Sequence, residues 1–293
     1  MQELPAEILF MIFSHFSDLY SDLISCAQVN RVWHAVVIKF YLWHTARFYS
    51  FSTFMHFRDV LARIKWNKRQ RARNNWRRIV MQSVNGNSKV NIDATRANEM
   101  ESEDDDSQWT FDGCNPTSFH STFPYGACVK VLDLSNLQSK NKLTDYMLDS
   151  LFESLPNLIE LDLYNCYTVT DKLIKRLPSR CSKLRVLNVC GCSNLSRKCI
   201  KYISRILYLE RLNIGLCPLM WVEKLSIEFD YHWSELVMFE LKNSPFAREK
   251  DVLNIVIHSP KLKEVVLTMD ISGISLAREI KRAAPQVNVV LRR

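Results

Sequence analysis

The sequence predicts an α/β fold: a short helical N-terminal segment followed by a solenoid with a curved parallel sheet inside and helices outside. Three observations predict it. An apolar motif of the form L-x-x-L-x-L recurs along the second half of the chain, as in Val129–Leu134, Leu158–Leu163 and Leu184–Val189. Its central residues fall at 132, 161, 187, 212, 239, 265 and 290, which are 25 to 29 residues apart. Before it, Ile8, Leu9, Ile12, Phe13 and Phe16 recur at helical spacing.

The period dictates the architecture. Each L-x-L is a short strand whose alternate residues point inward. The rest of each repeat returns on the outside as a helix. Thr144-Asp145 and Thr170-Asp171 supply capped starts for two of these helices. One repeat cannot bury its own apolar face, so neighbours stack into one core. Seven parallel strands give a sheet roughly 30 Å across. Cys166, Cys192 and Cys217 stand five residues past the central position; Ser244 and Asp270 occupy that place later in the chain. A spacing of 20 to 29 residues with this pattern is the leucine-rich-repeat signature. These repeats, residues 128–293 and about six to seven in number, resemble the cysteine-containing kind found in F-box/leucine-rich-repeat proteins.

At the N-terminus, Pro5 suits a first helical turn, where its missing N–H costs nothing. Ser21-Asp22 and Asn30 start a second and a third helical pattern. Forty residues bury too little apolar surface to stand alone, so the stripe must meet something. The order Leu4-Pro5-x-Glu7-Ile8-Leu9, then Ile12 and Phe16, Asp22-Leu23, Cys26, Val29, Arg31, Trp33 and Leu42-Trp43 resembles an F-box. That resemblance implies a three-helix segment, residues 1–47, that docks on a Skp-type adaptor and through it on a cullin–RING ubiquitin ligase. At positions matching the family pattern it implies an adaptor contact through Leu4, Pro5, Ile8, Leu9, Ile12, Phe16, Leu23, Cys26, Val29 and Trp33.

Residues 48–84 read as a connecting helical and basic segment. Phe54, Phe57, Val60, Leu61 and Ile64 share a helical face, a buttress for the F-box or the first repeat. Arg63, Lys65, Lys68, Arg69, Arg71, Arg73, Arg77 and Arg78 follow, with Trp66 and Trp76 interleaved. A solvated face is the first reading of this run. A nuclear-import or nucleic-acid contact and neutralisation by the acidic tract are the others. No zinc-finger or RNP-type motif accompanies it, so nucleic acid is not the expected partner. Residues 85–127 read as an acidic flexible linker or loop, with Glu99, Glu101, Glu103 and Asp104–Asp106 clustered. Ser102 precedes acidic residues as an acid-directed kinase site would, but an unmodified solvated loop is the first reading of so short a motif.

Composition bounds the function classes. The 293 residues carry a formal net charge of +8, which permits anionic partners without requiring them. Six glycines leave little for a Rossmann or P-loop site. The longest apolar run, Ile8 to Phe13, is far too short to span a bilayer, and Glu3 sits where a secretory signal would be positive. No membrane partner is expected. Nine cysteines without a C-x-x-C suit a reduced compartment, cytoplasmic or nuclear. No catalytic, cofactor or metal motif is present; the F-box resemblance then implies a non-catalytic subunit of a ubiquitin–protein ligase.

The remaining expectation concerns an unidentified protein target. The residues between the inward ones line the open face in rows: Asp133, Asp162, Asn188, Asn213 and Glu240, flanked by Arg211, Tyr164 and Lys242. The row could accept hydrogen bonds from a basic or polar target, or its Asp and Asn could serve local turns. The aromatics of Trp221–Trp233 are rival contacts or outer core. Two alternatives stay open for the whole chain. One is an interaction scaffold with no ligase role; the other is a nucleic-acid-associated protein using residues 63–78.

Overall fold

The computed structural model describes residues 44–85, 125–222, 232–244 and 247–292, and among the first 43 residues Leu9, Ile12, Cys26, Val29, Val32, Trp33 and Val36. The chain divides into two compact units, one formed by Met1–Ala62 with Pro124–Arg293, the other by Arg63–Phe123.

The first unit is built on an eight-stranded, all-parallel sheet whose strands lie in chain order. The strands are β1 (Thr45–Arg47), β2 (Val131–Asp133), β3 (Glu160–Asp162), β4 (Val186–Asn188), β5 (Arg211–Asn213), β6 (Met238–Leu241), β7 (Glu264–Thr268) and β8 (Asn288–Arg292). Helices alternate with them: α1 (Phe51–Asn85), α2 (Tyr125–Cys128), α3 (Asp145–Phe152), α4 (Asp171–Arg180), α5 (Lys198–Ile203), α6 (Leu219–Val222), α7 (Glu249–Ile257) and α8 (Ile271–Ala283). A parallel pair needs a crossover, and α3, α4, α5, α7 and α8 lie in the crossovers between their strands.

The inward positions of the motif form the core. Leu132, Leu161, Leu187, Leu212, Phe239 and Val265 are all buried, as are Leu134, Leu163, Val189, Ile214, Leu241 and Leu267. From the helices come Leu148, Leu151, Phe152, Leu173, Ile174 and Leu177. Each fully buried aliphatic or aromatic side chain contributes about 1.5–3 kcal/mol relative to exposure. The expected caps are present: the Thr144 hydroxyl accepts from Met147 N–H, and the Thr170 hydroxyl from Lys172 N–H.

Two expectations need correction. The sheet has eight strands and not seven, and it begins at Thr45–Arg47, inside the segment that the sequence assigns to the F-box. Ala46 pairs with Leu132 and is fully buried, but an alanine in the central place hides the L-x-L pattern. At the other end, the partner of Val265 is Val289, not Val290. Val289-Val290 is an apolar doublet, so periodicity alone leaves its register open by one residue, and one residue flips every side chain to the other face.

The helix read over residues 54–66 is part of a longer one, α1, which begins at Phe51 and continues to Asn85. In the first unit its stripe of Phe54, Phe57 and Leu61 is buried, and Phe48 meets Phe54 edge-on at 5.6 Å between ring centres. Gln138 N–H donates to Tyr49 O at 2.8 Å, tying the approach to α1 onto the turn after β2. The acidic stretch, Ser102 included, lies outside the described residues.

Candidate protein-interaction surfaces

Register assembles the predicted open-face rows. Asp133, Asp162, Asn188, Asn213 and Glu240 are successive cross-strand neighbours, and Val131, Glu160, Val186, Arg211, Met238 and Glu264 form the row beside them.

The local purpose of the Asp and Asn residues is plain from their bonds. Each of four closes a turn at its strand exit by accepting the backbone N–H two residues on. Ser135 N–H donates to Asp133, Tyr164 N–H to Asp162, Cys190 N–H to Asn188 and Gly215 N–H to Asn213, at 2.8–3.1 Å. These are Asx-turns. One residue further, Asn165, Gly191, Leu216 and Asn243 all adopt left-handed backbone. The N–H groups of Asn165, Gly191 and Leu216 then donate to the carbonyls of Cys190, Gly215 and Lys242 in the next module. The turns therefore stack as regularly as the strands. At Gly191 the conformation matters, because φ is +77° and an added Cβ would stand 1.9 Å from Asn165 Oδ1.

Sideways, the row is bonded to itself. Asn188 Nδ2 donates to Asp162 Oδ2 at 3.0 Å, and Asn213 Nδ2 to Glu240 Oε2 at 3.1 Å. Lys242 Nζ lies 2.7 Å from Glu240, and Arg47 Nε donates to Asp133 at 3.0 Å. Arg47 escapes sequence reasoning because β1 does. Among the described residues no cation is bonded to Asp162. Burial pushes its carboxyl up from the usual range and Asp133 adds to this, against the bonds from Tyr164 N–H and Asn188. Much of the acceptor capacity of the row is thus used by the chain itself. Arg211 and Glu160 are exposed beside it. Tyr164 is 37% exposed, with Lys140 Nζ held against its ring and donating to the Tyr164 carbonyl and, at 2.6 Å, to Ser135 O.

The cysteines of the pattern are structural. Cys192 Sγ donates to Leu163 O and Cys217 Sγ to Val189 O, each at 3.2 Å, joining one module to the one before it. Burial pushes the Cys166 and Cys217 thiols up to about 12. Ser244 keeps a local version of the bond, to Lys242 O at 3.2 Å, and Asp270 instead caps α8 through Gly273 N–H. Trp233, one of the rival aromatic contacts, is a core residue, 5% exposed; residues 223–231 lie outside the described residues.

At the N-terminus, Leu9, Ile12, Cys26, Val32, Trp33 and Val36 are helical. Leu9 and Val36 are buried by the chain itself, while Ile12 is 42% and Val29 59% exposed; Cys26 and Trp33 are half-buried. Leu4, Pro5, Ile8, Phe16 and Leu23 lie outside the described residues. Among the described residues no helix is long and apolar enough to cross a membrane, and no cluster of His, Cys, Asp and Glu could hold a metal ion.

Comparison with known proteins adds two findings. Among solved structures, the crystal structure of the Rad7 and Elc1 complex in yeast is similar at 17% identity and a TM-score of 0.33, over 56% of this chain and 33% of that chain. The chain thus spans about a third of the length of the chain it matches. Residues 1–49, a stretch that includes β1, match the family model described as F-box-like, which gives the chain an F-box-like domain there.

Proposed function

We propose that the chain is the substrate-recruiting subunit of an SCF-type ubiquitin ligase. The observation that carries this reading is the F-box-like domain at residues 1–49, whose last residues supply the first of eight parallel strands in chain order. The sheet and its outer helices are read as a leucine-rich-repeat solenoid, on the strength of the sequence period and the repeated turn geometry. The F-box-like domain docks on a Skp-type adaptor. Its exposed Ile12 and Val29 and the half-buried Trp33 supply the contact within the described part, while Leu9 is enclosed by the chain itself.

The open face of the sheet holds the target, with Tyr164 and Arg211 as the contacts least occupied by internal bonds. The mechanism is proximity. Holding a target lysine near a charged ubiquitin-conjugating enzyme raises its effective concentration, and the chemistry belongs to the partners. The bound domain order is N-terminal anchor, then target face.

Affinity purification of the full chain tests this reading. Recovery of a Skp-type adaptor together with a cullin supports it. Recovery of the adaptor without cullin supports a scaffold with no ligase role.

A further inference from the structure

We infer that the distal half of α1 is a binding site for single-stranded nucleic acid. Trp66, Arg69, Arg73 and Trp76 follow one another at intervals of three, four and three residues. At 100° per residue they fall within an arc of about 80°, on one face of the helix. All four are exposed, Trp66 at 62% and Trp76 at 47%. Among the described residues neither arginine has an ion-pair partner.

Two indoles exposed on a helix surface, with guanidinium groups between them, leave a large apolar area in water. The surrounding charge is one-sided. Eight Arg and Lys residues lie between Arg63 and Arg78, and no acidic residue occurs from Val60 to Ile92.

The chemistry of the occupant follows from that arrangement. Eight cations within sixteen residues attract a polyanion rather than a single carboxylate. Indole faces add stacking, which suits bases because every base presents a π-face. In a duplex those faces are hidden in the stack, so the strand must be single. Trp66 and Trp76 are about 15 Å apart along the axis, the length of four to five nucleotides at about 3.4 Å each. Arg69 and Arg73 lie between them at the height of the intervening phosphates. An anionic membrane is a poorer fit, since a helix lying in the headgroup region needs a broad apolar face. Here the residues between the two indoles are Lys, Arg, Asn, Gln and Ala. An acidic peptide satisfies the arginines but offers no row of π-faces.

Fluorescence anisotropy with the full chain tests the assignment. Fluorescein-labelled 20-mers of oligo-dT and oligo-rU are titrated at several salt concentrations, beside a labelled duplex, a polyglutamate peptide and phosphatidylserine vesicles. The single strands are expected to bind at least tenfold more tightly than the peptide or the duplex. Trp66→Ala/Trp76→Ala is expected to weaken strand binding at least tenfold, as loss of stacking does, and Trp66→Phe/Trp76→Phe to retain most of it. Arg69→Gln/Arg73→Gln is expected to flatten the log–log salt slope by about 1.4, or 0.7 for each lost phosphate contact. Unchanged circular dichroism shows that the variants keep their helix. Equal binding of polyglutamate, binding of vesicles only, or strand binding indifferent to both tryptophans overturns the assignment.

Discussion

Arg197 and Asp251 form a two-pronged ion pair inside the protein, with Nη1 and Nη2 each 2.5 Å from a carboxylate oxygen and side chains only 3% and 10% exposed. Arg197 holds a position that recurs every 26 residues. Its counterparts are Asp145 and Asp171, which accept the N–H and hydroxyl of Thr170 and of Ser196 respectively. Those bonds tie each outer helix to its neighbour. The Arg197 bond instead spans 54 residues, past the module of α6, and so joins the start of α5 to α7 directly.

Asp251→Ala therefore leaves a guanidinium buried beside no carboxylate and is expected to cost about 3–5 kcal/mol. The double substitution Arg197→Met/Asp251→Leu, which replaces the pair by apolar groups, is expected to cost about 1 kcal/mol or less. Urea unfolding of both variants measures this. A loss below about 1 kcal/mol in Asp251→Ala would show that the pair does not hold the modules together.

Asp149 governs the acid side of stability. Burial raises its carboxyl, but donation from Arg180 and Arg176 outweighs that and leaves it below its ordinary value of 3.8. A carboxylate whose folded pKa is depressed stabilises the fold above the unfolded pKa, and that contribution is lost as pH falls through the folded one. Asp149→Asn is expected to cost about 1–2 kcal/mol at pH 7, the half-exposed arginines limiting the effect. The gap from wild type should close below pH 4. A gap independent of pH would assign the effect to packing.

The stacked turns make opposite predictions at two equivalent positions. Gly191→Ala puts a Cβ into left-handed backbone and against Asn165, and is expected to destabilise by about 1–3 kcal/mol. Leu216 already bears that strain at φ 53°, where Asn243 stands in the next turn and Asn165 two turns earlier. Leu216→Asn is expected to stabilise by about 0.5–1 kcal/mol. Thermal unfolding of the pair decides it; a stabilising Gly191→Ala is incompatible with this turn.

The thiols divide by burial. Cys166, Cys181, Cys192, Cys199 and Cys217 are fully enclosed, with burial pushing the Cys181 thiol up to about 12 like its neighbours. At pH 8 iodoacetamide should leave these five unmodified in the native protein and alkylate the half-buried Cys26 and Cys128. Peptide mass spectrometry before and after denaturation reads the difference, and rapid native labelling of Cys192 or Cys217 would contradict their place in the core.

Most of the sheet is readable from the sequence because one residue type recurs at one spacing. Leu132, Leu161, Leu187 and Leu212 identify their strands, and Thr144 and Thr170 their helix starts. The reading fails where that regularity carries no signal. Ala46 is too small to mark β1, and the Val289-Val290 doublet hides its register. The Asp and Asn row is visible as a pattern, but its internal bonds are not. Asn188 serves its own turn and Asp162 at once, and only register brings those two side chains together. Trp66 and Trp76 were legible as interleaved aromatics; their exposure on one face required the length of α1, which no cap in the sequence defines.

The central claim is that the F-box-like domain engages a Skp-type adaptor. The most direct measurement is co-purification of the full chain with that adaptor, for wild type and for Leu4→Ala/Pro5→Ala/Ile8→Ala, with circular dichroism to follow the sheet. The account predicts that the wild type retains the adaptor through gel filtration, and that the triple variant loses it while its sheet stays folded. Undiminished recovery of the adaptor with the folded triple variant, or none with the wild type, would contradict it.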